Sequence, residues 1–121
     1  MSDAPDDAER ALAALVIELD VVVRELQRAR VRALELQEER REGHSWYDIV
    51  NAEERPLIVE QISAVMASLS TVGSQWRRAQ AHALAAEGVS INRVAALYGV
   101  TRQRVSALLH ERPEHLTPTS P

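Results

Sequence analysis

The sequence predicts an all-α protein, in which a long N-terminal helix with heptad periodicity precedes a small helical domain that ends in a helix-turn-helix. Apolar residues recur at heptad spacing over residues 8–42, and no strand-type alternation of apolar and polar residues is visible. Residues 90–110 combine two N-cap residues with a turn glycine. With 121 residues, 45% of them hydrophobic, the chain can form one compact domain plus an extended helix.

The predicted long helix covers residues 8–42 and follows a flexible N-terminus at residues 1–7. Asp6 and Glu9 have the spacing of a capping box, and Gly43 ends the helix. Such a helix is about 50 Å long, more than a domain of this size needs for its own core. Two apolar sets at heptad spacing predict a seam through which two chains dimerise. One set is Leu12, Leu19, Leu26 and Ala33, and the other is Leu15, Val22, Ala29 and Leu36.

The alternative is that the long helix folds back on its own domain. Additional apolar residues widen the stripe in the first half of the helix, which suits a multi-helix seam better than a bare two-stranded coiled coil. These residues are Val16, Ile17, Val21 and Val23. Dimerisation through the helix is the preferred interpretation.

Residues 43–73 are predicted to form a helical connecting segment. Ser45 is a candidate N-cap for a short helix, and Pro56 suits the first position of a second one. The apolar side chains expected to face inward from the short helix are those of Trp46, Ile49 and Val50. The sequence of residues 43–49 faintly matches that of residues 88–94. This leaves open that the connecting segment is a decayed second helix-turn-helix.

Residues 74–111 are predicted to form the helix-turn-helix domain, supported by a strongly helical run that ends at Gly88. Ser90 and Thr101 are candidate N-caps of the helix pair. Gly99 supplies the left-handed backbone of the tight turn between the two helices. The predicted core of the pair consists of Ile91, Val94, Ala95, Val100, Val105 and Leu108.

The second helix of this pair carries basic and amide side chains and no acidic residue before Glu111. Arg102 and Gln103 are the best candidates for base contacts in a major groove, Arg for guanine and Gln for adenine. The predicted DNA-binding set is Thr101, Arg102, Gln103, Arg104, Ser106, His110, Arg93, Arg77 and Arg78, the last three as positioning contacts. The competing interpretation is an ordinary helical hairpin whose polar face is basic by chance.

Charge is divided unevenly along the chain, although the net charge is only −4. Residues 1–75 hold eight arginines against fifteen acidic residues, whereas residues 76–121 hold six arginines against three. The basic charge therefore lies with the predicted helix-turn-helix. With so few basic residues, one chain can make only a few phosphate contacts. We therefore expect a dimer to bind DNA more tightly than a monomer.

Enzymatic and metal chemistry find little support in the sequence. The chain has no cysteine, and no two of its four histidines have the spacing on a helix that a zinc site uses. With only four glycines there is no phosphate-binding loop. We therefore expect no enzyme activity, no cofactor and no metal.

No signal peptide or membrane span is predicted, because the longest apolar run covers only residues 11–17. We expect a cytoplasmic, nucleoid-associated protein with no membrane partner. Residues 112–121 contain three prolines and are predicted to be a disordered tail.

Residues 41–109 resemble a family of small actinobacterial helix-turn-helix proteins. The resemblance rests on GHSWYDIV with AEE just after it, and on the block EGVSINRVAALYGVTRQRVSALL. The second block is also similar, more loosely, to the helix-turn-helix of sigma-factor region four and of several one-domain repressors. The resemblance implies sequence-specific DNA binding in transcriptional control, with residues 101–106 opening the recognition helix.

The predicted function is that of a sequence-specific transcriptional regulator that binds double-stranded DNA as a homodimer. Two alternatives remain open. One is a protein-interaction module that binds RNA polymerase, a sigma factor or another regulator. The other is a nucleoid-associated architectural protein with little sequence preference. A sensor of small molecules is less expected, because no second, pocket-forming domain is visible in the sequence.

Overall fold

A computed structural model describes residues 6–110 of the chain. The described residues form five α-helices and no strand, as predicted for an all-α fold with a long N-terminal helix. Residues 1–5 of the predicted flexible N-terminus, Glu111 and the predicted tail at 112–121 lie outside the described residues. The helices are α1 Asp7–Arg41, α2 Trp46–Ala52, α3 Ile58–Ala86, α4 Ile91–Tyr98 and α5 Arg102–His110.

Helix α1 has nearly the predicted bounds, because local signals determine both of its ends. The Asp6 carboxylate accepts a hydrogen bond of 2.7 Å from the backbone N–H of Glu9, as an N-cap does. Two residues after the helix ends, Gly43 takes a positive φ of 98°, a conformation that glycine adopts without steric cost. The helix has 35 residues.

The chain divides into two compact units. One unit comprises the described residues up to Ile17 together with those from Ser70 onward, and the other comprises Glu18–Leu69. Helices α1 and α3 each contribute one part to both units. The Glu18–Leu69 unit is continuous in sequence, and the other unit consists of two separate stretches.

In the Glu18–Leu69 unit, α1 and α3 run antiparallel. The Ser68 hydroxyl donates to the Glu18 carboxylate at 2.7 Å, and the Gln61 amide donates to the Glu25 carboxylate at 3.1 Å. Residues later in α1 therefore pair with residues earlier in α3. The buried side chains of this unit are Val22, Ala29 and Ile49.

The two heptad sets of α1 have different environments. Val22 and Ala29 of the second set are buried within the single chain, while Leu15 and Leu36 are half-buried. In the first set, Leu12, Leu19 and Leu26 are 42%, 43% and 39% exposed, and Ala33 is also exposed. The second set thus packs inside the chain, as the fold-back alternative anticipated, and the first remains open to solvent.

The prediction of two separate helices on either side of residue 73 is wrong. Helix α3 is one continuous helix of 29 residues that passes through Gly73. A glycine inside a helix costs roughly 0.5–1 kcal/mol relative to alanine, and packing along the helix can outweigh that cost. Gly73 is not among the glycines with positive φ, so nothing in its backbone interrupts the helix.

Pro56 does not occupy the first position of α3, contrary to the prediction. The helix starts two residues later because carboxylates cap the N–H groups there. The Glu60 carboxylate accepts from the Leu57 N–H at 2.9 Å, and the Glu53 carboxylate accepts from the Ile58 N–H at 2.8 Å.

Helix α2 begins as predicted, with the Ser45 hydroxyl accepting from the Asp48 N–H at 3.1 Å. Of its three apolar residues expected to face inward, only Ile49 is buried. Trp46 and Val50 are exposed, because a helix of seven residues has room for only one narrow inward face. None of the described helices is long and apolar enough to cross a membrane.

Candidate functional site

Helices α4 and α5 are joined by a tight turn whose geometry follows from their caps. The Ser90 hydroxyl accepts from the Arg93 N–H at 3.1 Å and begins α4. Gly99 ends α4 in the left-handed conformation, with φ 67° and ψ 35°. The Thr101 hydroxyl accepts from the Arg104 N–H at 3.1 Å and begins α5. The two caps and the turn glycine are confirmed as predicted.

The core between α4 and α5 is small and wholly apolar. Val94, Ala95 and Val105 form its centre, and Leu108 is buried as well. The partly buried apolar residues that pack against the centre are Leu84, Val89, Tyr98 and Leu109. Leu84 belongs to α3, so the last turns of α3 support the helix pair, as a third helix normally does.

Two residues predicted for this core are exposed instead, namely Ile91 and Val100. Ile91 is the first residue of α4, and Val100 lies in the turn after Gly99. The pair is therefore held by fewer apolar contacts than the sequence indicated.

Burial of Val105 and Leu108 determines which face of α5 meets solvent. Thr101, Arg102, Gln103 and Arg104 are exposed around its first turn. Ser106 is only half-buried, and the exposed His110 has its Nδ1 2.7 Å from the Ser106 carbonyl oxygen. Neither α4 nor α5 contains an acidic residue. The exposed face of α5 is therefore basic and rich in hydrogen-bond donors.

Arg77 of α3 and Arg104 of α5 meet in one cleft of about 340 Å³. Ser70, Ser74 and Tyr98 line the same cleft. The sequence analysis selected both arginines but neither serine. Ser74 lies three residues and Ser70 seven residues before Arg77, which places all three on one side of α3, and this spacing is a signal that could have identified the serines.

Tyr98 holds the position of Arg77 in this cleft. The Arg77 guanidinium carbon lies 4.2 Å from the centre of the Tyr98 ring, a cation–π distance. The Tyr98 hydroxyl donates to the Gln80 side-chain oxygen at 2.8 Å. Burial raises the pKa of the Tyr98 hydroxyl above its usual 10.0, and the nearby charge of Arg77 opposes that shift.

The remaining predicted arginines do not line this cleft. Arg93 is exposed on α4, and Arg78 is half-buried on α3. Arg102 is exposed at the start of α5. Of the predicted positioning contacts, only Arg77 therefore shares a site with a residue of α5.

Residues 6–110 contain no group of three or more histidine or acidic side chains that could hold a metal ion. Comparison of the chain with protein-family models, with curated protein sequences and with solved structures finds no match. A function for this chain therefore has to be inferred from its own residues and their geometry.

Proposed function

We propose that the chain is a sequence-specific DNA-binding protein that regulates transcription, and that α4, the Gly99 turn and α5 act as its helix-turn-helix. One observation carries this proposal. A capped helix pair packs its apolar residues inward, while the first turn of α5 exposes Arg102, Gln103 and Arg104 with no acidic residue on either helix. The resemblance to small actinobacterial helix-turn-helix proteins supports the same function.

Helix α5 is the proposed recognition helix. An α-helix fits the major groove of B-DNA, and its first residues contact the base edges. Arg102 and Gln103 are the proposed base contacts, because both are exposed and neither has a partner within the described residues. The Thr101 hydroxyl oxygen already accepts the hydrogen bond that caps α5. Its hydroxyl hydrogen can still donate to a phosphate oxygen.

The Arg77–Arg104 cleft is the proposed phosphate contact. Two guanidinium groups beside two serine hydroxyls match the donors that bind phosphate oxygens. Contacts of this kind orient a protein on the duplex but carry no sequence information. Arg104 is therefore assigned to phosphate, and Arg102 and Gln103 remain the proposed base contacts.

A second copy of the chain is the proposed partner of the open heptad set on α1. Leu12, Leu19 and Leu26 recur every seven residues and stay exposed, in contrast to Val22 and Ala29. Val16 and Val23 are exposed too and extend the apolar stripe along the same side of the helix. A regular stripe of this kind can pair with its own copy about a twofold axis, and two recognition helices would make up for the few phosphate contacts of one chain.

One observation favours the protein-interaction alternative. Trp46, Tyr47 and Val50 on α2 are all exposed, and aromatic residues are enriched where proteins contact other proteins. Arg40 lies over the Trp46 ring at 5.1 Å, which combines apolar and charged surface in one patch. A regulator that contacts RNA polymerase or a sigma factor would use such a patch.

The test is the mass by light scattering of the free protein and of its mixtures with genomic DNA fragments. A dimer that binds only certain fragments supports the regulator, and the bound fragments provide a site to sequence. Equal affinity for random and genomic fragments with a steep salt dependence indicates the architectural alternative. A dimer that ignores all DNA overturns the proposal and directs attention to the α2 patch.

A further inference from the structure

A cleft of about 690 Å³ lies within the Glu18–Leu69 unit, between α1 and the segment that leads into α3. Four arginines line it, namely Arg24, Arg28, Arg32 and Arg55. The first three follow one another at intervals of four residues, so they lie along one side of α1. This concentration of positive charge falls in the half of the chain whose overall charge is negative.

Arg32 lines this cleft and connects α1 to the residues before and at the start of α3. Its guanidinium pairs with the Glu53 carboxylate at 2.7 Å and donates to the Gln61 side-chain oxygen at 2.9 Å. It also donates to the backbone carbonyls of Glu54 at 3.0 Å and Pro56 at 3.2 Å. These four hydrogen bonds engage the terminal nitrogens Nη1 and Nη2, so Arg32 holds residues 53–56 against α1 and keeps only its Nε–H for a ligand.

The other three guanidinium groups remain available. No carboxylate or carbonyl pairs with Arg24 or Arg55 within the described residues. Arg28 pairs with Glu25 of its own helix at 2.8 Å, but its side chain is 71% exposed, and a pair of this kind holds weakly. The only carboxylate among the residues described as lining the cleft is that of Glu54. Together with Glu25, which pairs with Arg28, two negative charges therefore accompany the three positive charges of Arg24, Arg28 and Arg55.

We propose that this cleft binds a phosphorylated small molecule. Arginine forks match phosphate oxygens in pairs, so Arg24, Arg28 and Arg55 would hold the phosphate groups. The volume lies in the range of small-molecule sites and exceeds what a bare phosphate fills. Val31 and Pro56, which also line the cleft, offer apolar contact for the uncharged part of the ligand.

This inference does not rest on DNA binding. Arg24 and Arg28 lie on a different side of α1 from Leu19 and Leu26, so the proposed dimer leaves the cleft open. A ligand in the cleft would contact both α1 and the start of α3, and would therefore reinforce the contacts that Arg32 makes between them.

The test uses the full chain, labelled with ¹⁵N and titrated with adenosine diphosphate, inorganic pyrophosphate and adenosine at physiological salt. We expect saturable shifts in residues 24–32 and 54–61 with the two phosphates and none with adenosine alone. The double variant Arg24→Gln/Arg55→Gln should weaken binding by about tenfold or more, since hydrogen bonds to charged groups are lost. Arg30→Gln is the matched control, because Arg30 is an exposed arginine of the same helix that does not line the cleft.

Circular dichroism of each variant separates loss of binding from loss of fold. Absence of saturation by either phosphate overturns the inference, as does an equal loss of affinity in Arg30→Gln. Shifts confined to α4 and α5 also overturn it, since the anion would then prefer the proposed DNA surface. Retention of DNA by the double variant is measured in parallel, so failure of the two proposals can be told apart.

Discussion

The guanidinium of Arg77 lies over the ring of Tyr98, with 4.2 Å between its central carbon and the ring centre. This contact joins α3 to the end of α4 and holds the positive charge beside Arg104. A flexible arginine loses side-chain entropy when it binds phosphate, and an arginine already held on an aromatic ring loses less. Tyr98 is thus a positioning residue for the proposed phosphate contact.

Replacement of Tyr98 by Phe should cost about 1 kcal/mol of stability, the usual contribution of one hydrogen bond, while it keeps the ring under Arg77. Urea unfolding measures the loss. Leu97→Ala is the control, because Leu97 is an exposed neighbour on the same helix and should change stability little. A loss as large in Leu97→Ala would contradict the role of the Tyr98–Gln80 bond.

The same residue makes stability depend on alkaline pH. Because burial raises the pKa of Tyr98 in the folded chain, its contribution is complete below the unfolded value near 10.0 and is lost as pH rises through the folded value. We expect unfolding free energy to fall above pH 10.0 in the native chain and to fall less in Tyr98→Phe. Identical alkaline slopes for the two proteins would show that other groups control this loss.

Replacement of Arg102 by Ala should weaken binding to the selected DNA site by on the order of 1–3 kcal/mol and relax the preference at one base pair. Gln103→Ala should do the same at a different base pair. Binding to a library of single-base variants of the site measures both effects. Arg30→Ala, on α1, serves as a control of equal charge. A uniform loss across all sequences would mean that Arg102 contacts phosphate.

Replacement of Arg77 or Arg104 by Ala should weaken binding about equally for all DNA sequences and lower the salt slope by about 1 for each arginine. Because the two side chains share one cleft, the double variant should lose less than the sum of the single losses. Affinity measured over a series of salt concentrations gives both numbers. A changed base preference in Arg104→Ala would mean that Arg104 contacts a base and not only phosphate.

Replacement of Leu19 and Leu26 by Glu should convert the proposed dimer into a folded monomer, because both side chains are exposed in the single chain. Mass by light scattering reports the change. Val21→Glu is the matched control, since Val21 is 38% exposed, much like Leu26, but lies on the opposite side of α1 from the heptad stripe. Val22→Ala, at a buried position, should lower stability and leave the mass unchanged. A dimer that survives Leu19→Glu with Leu26→Glu excludes this surface as the interface.

Replacement of Arg32 by Ala should be the most destabilising surface change in the Glu18–Leu69 unit, by roughly 3 kcal/mol. The side chains of Arg32 and Glu53 are only 25% and 8% exposed, so removal of the cation leaves a largely buried carboxylate unpaired. Thermal and urea unfolding measure the cost, with Arg30→Ala as the exposed control. If the unpaired charge of Glu53 causes the loss of stability, the double variant Glu53→Gln/Arg32→Ala should be more stable than Arg32→Ala alone.

Features that depend on a few consecutive residues are predictable from the amino-acid sequence alone. The caps at Asp6, Ser45, Ser90 and Thr101 and the left-handed turn at Gly99 are of this kind. A cap requires only a side-chain oxygen three residues before a free N–H, and a left-handed turn requires only the absence of a Cβ atom. The order of the helices follows directly from these signals.

The partner of each apolar face, in contrast, depends on how the helices pack in three dimensions. Heptad periodicity showed two sets on α1, but a set pairs equally well with α3 or with a second chain, and Val22 is buried while Leu19 is not. The predicted boundary between the segments 43–73 and 74–111 likewise falls inside α3, which runs from Ile58 to Ala86 without a break. The Arg32 network and the contact of Arg77 with Tyr98 join residues about twenty or more positions apart. Such contacts depend on which helices pack together, and no local pattern encodes that choice.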